Sequence, residues 1–159
     1  MKIQNISSQP TKKIETIAKN LVEDLKIKIP VHLLFQDVWT QYDQDTGDII
    51  PNTAREDIAH DGTAQNDGII QVVINPALVV FPMWWDINPA LKKFYLRRVT
   101  CFMNIDEMIL YYLAHEFHHL WEFEHPKYIK TMCKIAHCDE ETLADFYAVR
   151  VLSKYRTQI

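Results

Sequence analysis

Apolar residues at Ile14, Ile17, Ala18, Leu21, Val22 and Leu25 recur at three- and four-residue intervals. That spacing places them along one face of a helix over Thr11–Leu25, with Lys and Glu on the other face. Val31–Phe35 is a short apolar run behind Pro30 and predicts a strand; Val38–Tyr42 is a second strand candidate. Asp43–Gly68 is rich in Asp, Asn, Gly and Thr and reads as turns or a loop. Ile69–Ile74 is β-branched and follows Gly68, which predicts a third strand. Pro76–Asn88 carries Pro76, Pro82 and Trp84-Trp85 and reads as irregular, and Pro89–Val99 as a short helix. Asn104-Ile-Asp-Glu107 has the form of a capping box. The helix it opens should run to about Phe123, because His125 precedes Pro126 and is pushed off helical angles. Lys127–Ala136 predicts a further short helix. Asp139-Glu140-Glu141 opens the last one, with acids at the positive end of its dipole. It continues through Ala144, Ala148, Val151 and Leu152 to about Tyr155. Strands and loops come first and helices afterwards, so the expected fold class is α+β.

Length and composition narrow the class. The chain has 159 residues, the natural length of one domain, so a single domain over 1–159 is expected. Seventeen basic against 21 acidic side chains leave a net charge of −4, which argues against nucleic-acid binding by bulk basicity. Three cysteines, Cys101, Cys133 and Cys138, form no disulfide framework and suggest a reducing, cytoplasmic setting. The longest apolar stretch, Ile69–Trp85, is broken by Gln71, Asn75, Pro76 and Pro82, so no membrane span is expected. Met1–Lys13 is polar and lacks the apolar segment of a signal peptide. The less ordinary count is seven histidines, four of which fall between His115 and His125.

Inside the capped helix stands His115-Glu116-Phe117-His118-His119, an H-E-x-x-H motif. Residues four apart share a helix face, so the imidazoles of His115 and His119 can reach one ion. The acid after the first histidine then sits beside the ion, placed to take a proton from water and hand it to a leaving amine. Zinc suits imidazole and brings the pKa of a bound water to about 7. A catalytic zinc needs a third protein ligand and an open position. His125 completes the metzincin spacing, but Glu122 stands where that family turns the chain with glycine. Glu141 is the other candidate, with Glu140 beside it. The segment Glu141-Thr-Leu-Ala144-Asp145-Phe-Tyr-Ala148 opens a second helix whose small Ala144 and Ala148 let it lie close to the first.

The pair His115-Glu116-x-x-His119 and Glu141-x-x-Ala144-Asp145-x-x-Ala148 resembles the gluzincin pattern of zinc metallopeptidases. It is most similar to small intracellular peptidases of the ImmA/IrrE type, and Val73-Ile74-Asn75-Pro76 resembles the end of the strand before the motif in that group. The resemblance covers roughly Ile69–Leu152. It implies a zincin-like fold: an N-terminal helix, a small mostly antiparallel sheet, the motif helix and a glutamate helix. It implies zinc ligands at His115, His119 and Glu141, a general base at Glu116, and Asp145 orienting a ligand histidine from behind. The implied activity is hydrolysis of a protein or peptide substrate, its chain held against an edge strand near Ile69–Ile74. The chain departs from the pattern at His118, where these families often have glycine, and no partner-binding domain is expected after the glutamate helix. The competing reading is a non-catalytic binding or regulatory protein that keeps the zinc.

Other residues read as structural. His118 is expected to pack rather than ligate. Cys133 and Cys138 flank a C-x-x-x-H-C sequence but read as a thiol pair beside a helix start. Trp84-Trp85 reads as a core plug. Met108, Tyr112 and Tyr147 lie on helix stripes beside the motif; Tyr112, one turn before His115, shares the stripe an oxyanion-stabilising residue would need, but packing is the stronger reading. The acidic loop from Asp43 does not have EF-hand spacing.

Overall fold

The computed structural model of the chain describes residues 1–86 and 99–158. The chain divides into two compact units, Met1–Val80 and Phe81–Ile159. Both helices and strands are present, giving an α+β chain. No helix among the described residues is long and apolar enough to cross a membrane.

The first unit contains β1 (Lys2–Ile6), α1 (Thr11–Leu25), β2 (His32–Gln36), β3 (His60–Ala64) and β4 (Ile69–Ile74). Helix α1 has the predicted bounds and buries Ile14, Ala18, Leu21 and Leu25, one stripe of the expected face. It ends where Lys26 turns left-handed at φ 54° and the Ile27 amide reaches back to the Val22 carbonyl. The strands lie in the order β1-β2-β4-β3. β1 pairs parallel with β2 and β2 parallel with β4, while β3 runs antiparallel to β4. The expected mostly antiparallel sheet is therefore corrected: two of the three pairings in this sheet are parallel. The cause is β1, a polar strand the hydrophobic pattern does not reveal; α1 is the crossover that returns the chain parallel to it. A second correction concerns β4. All six of its residues are buried and both its edges are paired, so Ile69–Ile74 has no free edge to receive a peptide.

Gln36 and Gln71 in this sheet satisfy one another with help from Thr40, whereas the buried His32 Nε2 on β2 has no hydrogen-bond partner among the described residues. The buried Gln71 amide donates to Gln36 Oε1 at 2.8 Å and to the Thr40 carbonyl at 2.7 Å, and Gln36 in turn donates to Thr40 Oγ1 at 2.6 Å. In the Asp43–Gly68 stretch, Asp43 Oδ1 accepts from the Asp45 and Thr46 amides, an Asx turn. That stretch also holds β3, again polar. Val38–Tyr42 makes isolated bridges from Trp39 and Tyr42 instead of a strand.

The second unit contains β5 (Met83–Asp86), β6 (Val99–Phe102), α2 (Ile105–Glu124), α3 (Pro126–Ala136) and α4 (Glu140–Thr157). β5 lies where irregular chain was expected and pairs antiparallel with β6. The helix predicted over Pro89–Val99 lies outside the described residues, except Val99, which opens β6. The capping box at Asn104 forms: its side chain accepts from the Glu107 amide at 3.0 Å, and Glu107 reaches back to the Met103 amide at 2.8 Å. Glu107 also receives Arg156 of α4 through Nε at 2.9 Å and Nη2 at 2.6 Å. Arg156 bonds the Cys101 carbonyl as well, tying β6, α2 and α4 together. The Arg156 guanidinium holds the Glu107 carboxyl below the ordinary carboxylate range, against burial.

Two stability predictions follow from these closures. Gly68 ends the β3–β4 hairpin at φ 97°, and a Cβ there would run into the Pro30 carbonyl oxygen. Gly68→Ala should lower stability by on the order of 1–3 kcal/mol, read from a urea midpoint; an unchanged midpoint would refute the close approach. Glu107, with its lowered pKa, contributes stability that is full above its ordinary value of 4.5 and lost as pH falls through the lowered value. Acid titration of stability should therefore be shallower for Glu107→Gln than for the parent, and identical slopes would contradict the pairing.

Candidate metal centre

Helices α2 and α4 pack along one another. Glu107 meets Arg156, Tyr111 and His115 meet Asp145, and His119 meets Glu141. Numbers rise on one helix as they fall on the other, so the pair is antiparallel. α2 anchors itself with the fully buried Leu113, Phe117 and Leu120, and α4 buries Ala144, Ala148 and Leu152. Two alanines on the buried face let the axes approach closely. Helix α4 begins where Asp139 Oδ1 accepts from the Thr142 amide at 2.9 Å and from its hydroxyl at 2.7 Å. That cap delivers Glu141 in the first turn, at the positive end of the helix dipole.

His115, His119 and Glu141 come together as a group of three metal-type donors, all within 4.8 Å of one another. The two Nε2 atoms stand 3.1 Å apart. Glu141 offers Oε2 to His115 Nε2 and Oε1 to His119 Nε2, each at 3.2 Å. A tetrahedron with bonds of about 2.0–2.1 Å has edges of about 3.3–3.4 Å. The two Nε2 atoms stand close to that spacing, each faces a different oxygen of the Glu141 carboxylate, and two imidazoles with a carboxylate is a donor set that zinc accepts. The residues fit the ion. The Glu141 side chain is 65% exposed, so the group lies open to solvent on that side.

Behind each imidazole is a carboxylate. His115 Nδ1 donates to Asp145 Oδ1 at 2.9 Å, and Tyr111 donates its hydroxyl to the same oxygen at 2.6 Å. His119 Nδ1 donates to Glu122 Oε2 at 2.7 Å. These bonds put the Nδ1 protons on the carboxylate side and leave both Nε2 atoms facing the shared point. Glu116, 4% exposed, lies one residue beyond His115, and its negative charge acts on both histidines. Burial pulls the His115 pKa down, but Asp145, Glu141 and Glu116 outweigh it and push it up to about 10. His119 is raised too, burial being overcome by Glu122 and Glu116. The bond from His115 holds the Glu141 carboxyl below its ordinary range.

Asp145 stands where the sequence placed it, and His118 packs as expected, against the rings of Trp121 and Tyr147. His125 is not in the group: it caps α2, donates to the Trp121 carbonyl at 2.8 Å and stacks on the Trp121 ring. Tyr112 is buried and Tyr147 has Arg150 over its ring; it is the neighbouring Tyr111 that reaches the site's acids. Cys133 and Cys138 are free thiols, Cys133 pushed up to about 11 by burial. Trp84 is exposed rather than a core plug. Sequence reasoning missed Glu122 and Tyr111. Their signals were present as spacings, Glu122 three residues after His119 and Tyr111 four before His115. Compared with protein-family profiles, with curated proteins and with solved structures, the chain matches none.

The raised pKa of His115 has a sign. Without metal, its stabilising bonds are full below 6.5 and lost as pH rises through about 10. A metal needs the deprotonated ring, so binding must expel the proton. Titration calorimetry in buffers of different ionisation enthalpy at about pH 7 should show about one proton released per zinc. Affinity should rise by up to about tenfold per pH unit between about pH 6 and 8. Buffer-independent heats would contradict a charged His115.

Proposed function

We propose that this protein is a zinc-dependent metallopeptidase of gluzincin type with a zincin-like arrangement of its two site helices. The observation that carries the reading is the convergence of His115 Nε2, His119 Nε2 and Glu141, each imidazole backed by its own carboxylate. His115, His119 and Glu141 would hold the ion, and Asp145 would fix His115 in the tautomer that presents Nε2. Zinc supplies Lewis acidity, which polarises a carbonyl and lowers the pKa of water to about 7. Glu116 is the proton carrier: its carboxylate accepts a proton from the attacking water and returns it to the amine of the departing peptide. Its place next to His115 and its negative charge, felt by both imidazoles, suit it to that task. Glu141 leaves one side of the group open, which favours an accessible substrate over a closed structural cross-link.

The test is Glu116→Gln. It should keep zinc at the parent's stoichiometry while cleavage of a pool of quenched fluorescent peptides falls by about 10²–10⁴-fold. Equal rates would remove Glu116 as the base. A zinc-loaded parent that cleaves nothing in the pool would favour the non-catalytic reading.

A further inference from the structure

Glu122, which backs His119 in the donor group, is among the most buried acids in the second unit, at 5% exposure. Its two oxygens serve two different histidines of its own helix. Oε2 accepts from His119 Nδ1 at 2.7 Å, three residues back, and Oε1 accepts from His118 Nδ1 at 2.8 Å, four residues back. Both bonds follow from helical geometry, since positions three and four apart are neighbours on the surface of a helix. His118 is itself held, its ring 5.3 Å from Trp121 on α2 and 5.1 Å from Tyr147 on α4. A side chain fixed at both oxygens cannot rotate away from either partner. The helix runs unbroken through this position to Glu124, so the carboxylate stays aimed at His119.

We propose that Glu122 is a positioning residue for zinc, a clamp that locks the ring orientation and tautomer of His119 while His118, wedged between α2 and α4, locks the clamp. The proposal rests on the zinc-site reading above. It gives the second ligand the same support that Asp145 gives the first, from within the motif helix instead of across the helix pair. It also gives His118 a function that packing alone does not.

The experiment uses the full chain and zinc ion in competition with a chromophoric chelator. Glu122→Gln should lose about 10–100-fold in zinc affinity. In the zinc-loaded parent, long-range nitrogen–proton spectra should show a downfield, slowly exchanging Nδ1 proton on His119. Glu122→Gln should shift that resonance upfield, and Asp145→Asn should shift the corresponding His115 resonance while leaving that of His119 in place. Parental affinity in Glu122→Gln, or a freely exchanging His119 Nδ1 proton in the parent, overturns the clamp; the second measurement decides even if the variant does not fold. A parent that binds no zinc, or binds it equally after His119→Ala, overturns the metal site itself and the clamp with it.

Discussion

Burying two imidazoles with their Nε2 atoms 3.1 Å apart is the constraint under which the second unit is built. Each ring has a second nitrogen that must also find a partner away from water. Carboxylates are the strongest acceptors available, and each brings a charge that itself resists burial. The chain meets this by setting acids and histidines in alternation: Asp145 behind His115, Glu122 behind His119, Glu141 between their inner faces. The outer acids fix the rings and the inner one joins them. The surrounding carboxylates raise the His115 pKa to about 10, and the same electrostatics would favour any cation in that place.

Bringing these groups together requires the two helices to be registered to within a fraction of a turn. The capping box at Asn104 sets the start of α2, and the Asp139 cap sets the start of α4. Glu107 belongs to the first and grips Arg156 near the far end of the second. One end of the antiparallel pair is therefore pinned by an ion pair, and the other carries the metal-type donors. Between them Tyr111 shares the Asp145 oxygen that His115 uses, so a slip of either helix would break bonds at several points at once.

How much of this was legible in the sequence depended on the period of each element. α1, β4, α2 and α4 are amphipathic or uniformly apolar, and their bounds agree with the pattern to within a residue or two. β1 and β3 are polar edge strands, Lys-Ile-Gln-Asn-Ile and His-Asp-Gly-Thr-Ala, whose identity comes from pairing with β2 and β4. Missing β1 concealed the parallel crossover and led to the wrong sheet direction. β5, behind Pro82 and holding Trp84-Trp85, and the four-residue β6 were hidden for the same reason: their order comes from each other.

At the site, the three donors and Asp145 were legible because each obeys a helical spacing and the two helices had a stated reason to meet. Glu122 obeys a helical spacing as well, but it was weighed only as an obstacle to a glycine turn. A chain that turned after its second histidine would bring His125 back toward His115 and His119; this one stays helical to Glu124, and His125 caps the helix beside Trp121. At the position where a glycine turn would stand, the helix carries Glu122, whose carboxylate accepts from His119 Nδ1. The third donor of the group comes from α4, and the caps and the ion pair that register the two helices bring it there.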